Sequence, residues 1–293
     1  MQIVDPSRKP YTFDEVLIVL VLYGIELQHS PSFRSLVKCN KEKRGIDLMV
    51  YDNSPGQNSE TKYFEKEKFR ITYINDPKNP GVSKAYNCGI ALAKEKNKKW
   101  ILFLDQDTTL DESLLDKFLE AINSHRDIQI FATTLFDSDH NLISPSRYFF
   151  KRGFARSTPP IGKCKLNKTR PINSSVLIST EIFEKVGWYN PKIRLDFSDH
   201  EFFDRVSKRT KYLQVVASKS FHSLSTSDET NIEKIKIRFG IFCEGAHVAA
   251  KNSPLSRFQY FVVCIFRALK LSIKFKTFFF IKTLFNEWTK RID

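Results

Sequence analysis

Trp100-Ile-Leu-Phe-Leu-Asp105-Gln-Asp107-Thr-Thr109 decides how this chain reads. Its short apolar run predicts a buried strand that ends abruptly in two carboxylates one residue apart. Side chains alternate along an extended chain, so Asp105 and Asp107 are expected on one side of the strand's carboxyl end. Open α/β sheets hold their ligands at that edge. Two hard oxygen donors there suit Mg²⁺ or Mn²⁺ carrying a diphosphate, because these ions use few protein carboxylates and finish their shell with phosphate and water. The competing reading is a helix start, since Thr109-Leu-Asp-Glu112 fits a capping box. That alternative accounts for Asp111 and Glu112 better than for Asp105.

Outward from this stretch the chain alternates strand and helix. Val16-Leu-Ile-Val-Leu-Val-Leu-Tyr23 is apolar and β-branched enough for a central parallel strand. Ile46-Asp-Leu-Met-Val-Tyr51 is a second strand, stopped by the turn formers Asp52-Asn-Ser-Pro-Gly56. Ile71-Thr-Tyr-Ile74 is a third, followed by Asn79-Pro-Gly81 and a helix over about Ser83 to Lys96. Helix-length spacers between strands imply crossovers and a mostly parallel sheet. Polar residues then gather at the strand carboxyl ends as a rim.

The rim residues, in this order, resemble glycosyltransferase family 2, whose fold is the Rossmann-like GT-A type. The matching pieces are Tyr51-Asp-Asn-Ser54, the run from Asn79 to Gly89, Leu104-Asp-Gln-Asp107, Val186-Gly-Trp-Tyr-Asn190, and Asp196-Phe-Ser-Asp199-His-Glu201-Phe-Phe-Asp-Arg205. The resemblance covers roughly residues 14 to 225 and is nearest to rhamnosyltransferase-like members. It implies a GT-A domain over 1–230, with a nucleotide-binding half at about 14–110 and an acceptor half at about 111–230.

The resemblance also distributes roles. Nucleotide-sugar contacts fall to Tyr23, Asp52, Gly81, Lys84, Asp105 and Gln106. Asp52 would accept a hydrogen bond from a pyrimidine base, and its alternative is an Asx-turn stabiliser ahead of Ser54. Gly81 and Lys84 open a helix whose free N–H groups favour phosphate. Asn87 and Gly89 are expected to hold that helix on the sheet. Metal contacts fall to Asp107, His222 and Asp105, with Mn²⁺ or Mg²⁺ as cofactor. Inverting sugar transfer needs a base for the acceptor hydroxyl and positive charge for the departing diphosphate. Asp199 falls on the catalytic-base position, with Glu201, Asp196 and Arg205 as acceptor-side or orienting groups. The alternative for this segment is an acidic helix start, because Ser198-Asp-His-Glu201 is itself a capping box. Two departures stand out: Val21-Leu-Tyr-Gly24 replaces the usual Pro and Asn after the first strand, and Ser175 stands where relatives have glycine.

The whole chain, 293 residues with 41% hydrophobic and 27% charged residues, is long enough for a full α/β core. Its 47 Lys and Arg against 33 acids give a net charge of +14, which attracts phosphates of any kind. No zinc-finger, RNP or helix-turn-helix pattern accompanies that charge, so nucleic acid is not expected as a partner. A nicotinamide dehydrogenase is disfavoured because no G-x-G-x-x-G follows the first strand. Five scattered cysteines without CxxC spacing, and no basic, apolar leader, lead to the expectation of a cytoplasmic protein.

From Tyr148 to Arg170 the chain is turn-rich and basic, an expected solvated loop carrying Lys151, Arg152, Arg156 and Lys163. A strand is expected over Tyr212–Ala217, ahead of His222. The last part, 231–293, reads as a basic, aromatic helical extension. Phe258 to Lys274 forms a helix with Gln259, Arg267, Lys270 and Lys274 on one stripe, and Phe258, Phe261, Val262, Ile265 and Leu269 on the other. Its uncharged run is far short of the ~20 residues of a spanning helix. Residues 255–285 are expected either to lie on the inner face of the plasma membrane or to pack on protein, including a second subunit. Taken together, the sequence predicts a metal-dependent inverting glycosyltransferase for surface polysaccharide. It would use dTDP-rhamnose, with a UDP-hexose or UDP-galactofuranose as alternative donors, and a glycan or lipid-linked acceptor. A non-catalytic sugar-nucleotide-binding subunit is the other reading.

Overall fold

The computed structural model describes residues 9–42, 44–56, 59–223 and 231–290. In chain order the elements are β1 (Val16–Leu22), α1 (Pro31–Cys39), β2 (Ile46–Asp52), β3 (Glu60–Lys66), β4 (Phe69–Asn75), α2 (Val82–Glu95), β5 (Trp100–Asp105) and β6 (Thr108–Thr109). Then follow α3 (Leu114–Ser124), β7 (Ile130–Phe136), β8 (Leu142–Ser144), β9 (Ser146–Phe149), β10 (Arg152–Phe154), β11 (Gly162–Lys165), β12 (Thr169–Arg170) and β13 (Val176–Ser179). The chain ends in α4 (Thr180–Val186), α5 (Ser198–Val206), β14 (Tyr212–His222), α6 (Ile232–Ala249), α7 (Pro254–Lys274) and α8 (Phe279–Thr289).

The main sheet runs β11-β14-β7-β13-β5-β1-β2-β4-β3, with β6 beside β14 and β8 beside β7. Its centre is parallel: β1 pairs with β2 and β5, and β2 with β4. Strands β1 and β2 are buried along their whole length, which is why β1 reads as an unbroken apolar run and β2 as one interrupted by Asp47 and closed by Asp52. The antiparallel hairpin β3–β4 is new relative to the sequence reading. Its turn residues Glu67 and Lys68 both take positive φ, the geometry of a two-residue hairpin turn, without the Asn-Gly or Asp-Gly pair that announces one. Strand β3 is mostly exposed and charged, so no apolar alternation marks it either.

Helices cover both faces of the sheet. Ile18, Leu20, Leu102 and Leu104 join Phe33 and Leu36 of α1 and Leu114 and Phe118 of α3 in one core. Leu17, Val19, Ile101 and Phe103 join Ala85, Tyr86 and Ile90 of α2 and Phe202 and Phe203 of α5 in the other. The β1–α1–β2 crossover moves one way along the sheet and β4–α2–β5 moves back. With one handedness of crossover, α1 and α2 must therefore lie on opposite faces. Helix α2 sits close because Gly89 faces the Val19 side chain, where a Cβ would come within 2.5 Å. A third core joins Ile193 and Phe197 to Phe239, Cys243, Tyr260, Cys264, Phe280 and Leu284, fastening α6, α7 and α8 to the body.

Two expectations change here. The basic loop of 148–170 supplies a small antiparallel sheet, β10-β9-β12, and the edge strand β11 of the main sheet, and three of its cations are partnered: Lys151 with Asp204, Arg156 with Thr169 Oγ1, and Lys163 with Asp127. On α7 the packed stripe is Ser256, Tyr260, Cys264 and Ala268, while Phe258 and Leu269 stay exposed. No described helix is long and apolar enough to cross a membrane.

Candidate active site

Parity along β5 sends Asp105 to the face covered by α2 and α5, as it does Ile101 and Phe103. There the Tyr86 hydroxyl donates to Asp105 Oδ1 at 3.1 Å. A turn, rather than continued strand, then carries the chain through Gln106 to Asp107. Helix α1 holds that turn from its N-terminus. Ser30 Oγ donates to the Gln106 carbonyl at 2.7 Å, and the Ser32 amide donates to the same oxygen at 3.2 Å. Ser32 Oγ donates to the Asp105 carbonyl and accepts from the Thr108 amide at 3.0 Å. Gln106 turns its side chain outward, accepting the Tyr23 amide at 2.6 Å, so the end of β1 and the acidic turn are tied together.

Strand β14 returns to this edge and pairs with β6, setting His222 opposite Thr108. His222 Nδ1 lies 3.3 Å from Asp107 Oδ1 and 2.8 Å from Thr108 Oγ1, which in turn contacts Ser174 Oγ at 2.7 Å. His222, expected beside the metal ligands, is thus beside Asp107. Burial pushes the Asp105 carboxyl up to about 6, with His222 opposing and the charges of Asp107 and Asp199 adding to the rise. Burial also raises Asp107, again opposed by His222. Two carboxylates held in this state are what a divalent cation would relieve, and the oxygen and imidazole donors suit Mn²⁺ or Mg²⁺. Among the described residues no three His, Cys, Asp or Glu side chains stand close enough to hold an ion unaided. The donor set therefore fits an ion that takes the rest of its shell from phosphate and water.

Asp199 enters from the first turn of α5. It is near enough to raise the hydroxyls of Tyr86 and Tyr189, after burial, and to add to the rise at Asp105. Asp105, Asp107 and His222, from two distant parts of the chain, meet at one carboxyl edge, and Asp199 stands within electrostatic range of Asp105. The capping boxes foreseen at Thr109–Glu112 and Ser198–Glu201 do not form. Helix α3 starts at Leu114 with Asp111 Oδ1 accepting from the Ser113 amide at 2.8 Å, and α5 is preceded by Phe197 in the left-handed region without a side-chain cap.

The flanking groups Glu201, Arg205 and Asp196 are each held by ion pairs. Glu201 and Arg205 form a two-pronged ion pair, 2.7 and 2.9 Å. Arg205 also donates to the carbonyls of Val186 at 2.5 Å and Trp188 at 2.8 Å. This fork ties α5 to the 186–188 loop. Asp196 Oδ1 accepts from Arg238 of α6 at 3.1 Å. It fastens the C-terminal helices.

Gly81 has φ +95°, and a Cβ there would lie 2.1 Å from the Arg194 carbonyl oxygen. That carbonyl also accepts the Val82 amide at 2.8 Å, so the start of α2 is covered by protein backbone, and the glycine is required for packing. Lys84 in the same turn is exposed. Asn87 pins Tyr189 by two 2.9 Å hydrogen bonds, its amide donating to the carbonyl and its oxygen accepting the N–H. Asp52 makes the Asx turn with the Ser54 amide at 2.8 Å and also accepts from the Tyr73 hydroxyl at 2.5 Å. Beside it, at the ends of β2 and β4, Asn53 and Asn75 are buried, with Asn53 Oδ1 and both amide atoms of Asn75 lacking a protein partner. The sequence reading missed Asn75, Tyr86, Thr108 and Ser174. Only the place of Asn75, one residue beyond a strand-ending Ile74, could have flagged any of them.

Residues 33–187 match the family described as Glycosyl transferase family 2. The dTDP-rhamnosyl transferase RfbF of Shigella flexneri is 24% identical over 184 residues, which are 62% of this chain and 61% of that protein. The chain thus spans about three fifths of the relative's length. Among solved structures, S. aureus TarS 1–349 in complex with UDP superimposes with a TM-score of 0.53 at 13% identity, covering 88% of this chain and 72% of that one. A crystal structure of S. aureus TarS gives 0.52 at 13% identity, with 86% and 43% covered. Likeness at this level shows the fold, a GT-A-like mixed sheet with flanking helices.

Proposed function

This chain belongs to glycosyl transferase family 2, and we propose that it transfers a sugar from a nucleoside diphosphate to a glycan or lipid-linked acceptor with inversion. The observation that carries the reading is the meeting of Asp105, Asp107 and His222 at one strand edge, with Asp199 of α5 within electrostatic range of Asp105. The acceptor hydroxyl oxygen attacks the anomeric carbon, the bond from that carbon to the diphosphate oxygen breaks, and Asp199 takes the hydroxyl proton. Asp107 and His222, with Asp105 behind them, would hold Mn²⁺ or Mg²⁺, which when bound supplies positive charge to the departing diphosphate. Tyr86 and Ser174 keep the edge in register, the first through the Asp105 carboxylate and the second through Thr108. The Glu201–Arg205 fork holds the loop behind Asp199.

The nucleobase would lie over Tyr23 and the ends of β2 and β4. Asn53 and Asn75 lie there beside Asp52, with Asn53 Oδ1 and both amide atoms of Asn75 buried and without a protein partner, polar groups that a shift of the loop would turn to a pyrimidine edge. Similarity to the rhamnosyl transferase favours dTDP-rhamnose, and a UDP-hexose or UDP-galactofuranose is the alternative donor. The proposed setting is surface polysaccharide assembly at the cytoplasmic face of the membrane.

A panel of nucleotide sugars with Mn²⁺, Mg²⁺ or chelator, read by thermal shift and donor hydrolysis, tests this. One pyrimidine diphosphosugar should stabilise the protein only with a divalent ion. Asp199→Asn should keep that stabilisation and lose transfer by about 10²-fold or more. Undiminished transfer by the variant removes Asp199 from the base role.

A further inference from the structure

We propose that the outward face of α7 is a docking surface for an anionic lipid bilayer. Leu255, Phe258, Val262, Phe266, Leu269 and Ile273 recur every three or four residues along this helix. At about 100° per residue they share one stripe. Leu255 is 65% exposed, Phe258 59%, Phe266 63%, Leu269 41% and Ile273 77%. The stripe lies opposite the packed face of Ser256, Tyr260, Cys264 and Ala268. The helix is therefore apolar on two opposed sides, and the fold uses only one. Over some 18 residues the unused side is ~27 Å long.

Charge selects the occupant. Between Pro254 and Lys290 stand seven Lys and Arg against one acid, Glu287. Lys270 and Lys276 are exposed beside the stripe and its end, where Phe278 is also solvent-facing. A contact with another protein favours a rim of both signs around a core depleted in lysine. A one-signed cationic border around exposed aromatic and aliphatic side chains is what an anionic headgroup layer receives. Since no described helix can cross a membrane, α7 would lie in the plane of the surface.

The stripe also leads to the site. At its N-terminal end Phe258 packs on Phe150, 6.3 Å between ring centroids, in the hairpin of β9 and β10. Phe149 beside it is exposed. The same hairpin lays Tyr148 against His200, 5.4 Å between centroids, next to Asp199. Resting on the proposed glycosyl transfer, this continuity sets the base close to headgroup level, where the hydroxyl of a lipid-linked acceptor would be presented.

The test is flotation of the full chain with vesicles of phosphatidylcholine, or of phosphatidylcholine mixed equally with phosphatidylglycerol. The wild type should float with the anionic vesicles and roughly tenfold less with the neutral ones, more weakly at high salt. Phe266→Glu with Ile273→Glu should lower anionic partitioning roughly tenfold or more while leaving the melting temperature unchanged. Sedimentation without lipid should show the same mass for both proteins. Absence of flotation, flotation indifferent to phosphatidylglycerol, or flotation indifferent to the substitutions overturns the proposal. So does a wild-type dimer that the substitutions split, which would give the face to a second copy. Nucleotide-induced thermal shift reads the donor site separately, so its failure strikes the catalytic reading and leaves the docking result standing.

Discussion

Asp105→Asn should make the free protein more stable at neutral pH while damaging the site. The reasoning starts from burial, which lifts the carboxyl from 3.8 to about 6 with the charges of Asp107 and Asp199 adding to the effect and His222 opposing it. The folded chain therefore binds a proton at Asp105 more tightly than the unfolded chain does. Stability is unaffected by this group below about pH 4, where both states are protonated, and falls as pH rises through the interval to about 6. At about 1.4 kcal/mol per pH unit, that interval is worth roughly 3 kcal/mol at most. Asparagine keeps the shape and still accepts the Tyr86 hydroxyl, so the gain is not offset by a lost hydrogen bond. At roughly 2 °C per kcal/mol for a chain of this size, the variant should melt some 4–6 °C higher at neutral pH.

Thermal melts of both proteins across pH 4 to 8 provide the measurement. The difference should be near zero at the acid end, grow through the interval around pH 5, and level off above about pH 6.5. Mn²⁺ together with a tightly bound nucleotide should narrow the gap, because the wild-type carboxylate then faces a cation. A variant no more stable than wild type at neutral pH would refute the reasoning. An advantage that persists unchanged at pH 4 would refute it equally, since the gain would then have nothing to do with ionisation.

Two further outcomes follow from other buried groups. Asp47 is buried against Arg70, Lys96 and Lys98 at 2.7, 2.8 and 2.6 Å, and although burial alone would raise its carboxyl, their hydrogen bonds hold it well below the usual range. Asp47→Asn should cost about 3 kcal/mol in denaturant unfolding at neutral pH, with the penalty shrinking below about pH 4 as the unfolded wild-type chain takes up a proton that the folded one still excludes. Ser175 has φ +60° and a buried hydroxyl without a partner, so Ser175→Gly should raise stability by about 1 kcal/mol in the same assay, and a loss would show that its Cβ packing outweighs the strain.

Ser175 also shows how far sequence reaches. Its departure from the glycine of relatives was visible in the chain, but the cost of the departure needed the backbone angle. The central strands were legible because burial on both sides makes β1, and β5 up to Asp105, unbroken apolar runs and leaves β2 apolar between Asp47 and Asp52. That same property hid the geometry that matters most. A strand apolar at every position shows no alternation, so nothing in Trp100–Leu104 says which face receives Asp105. The answer comes from topology. Once β5 is known to sit beside β1 and to be reached from β4, the return crossover must place α2 on the face opposite α1. Parity then delivers Asp105 to Tyr86, and the aromatic cluster beneath brings α5 and Asp199 to the same side. The residues that hold the acidic turn were unreadable for a related reason. Ser30, Ser32, Thr108, Ser174 and His222 contact across 66 to 114 positions, and serine and threonine carry no local signature of such contacts. On α7 the limit is different again. Periodicity reported apolar positions correctly, but two opposed apolar faces on one helix look alike until the fold commits one of them to its core.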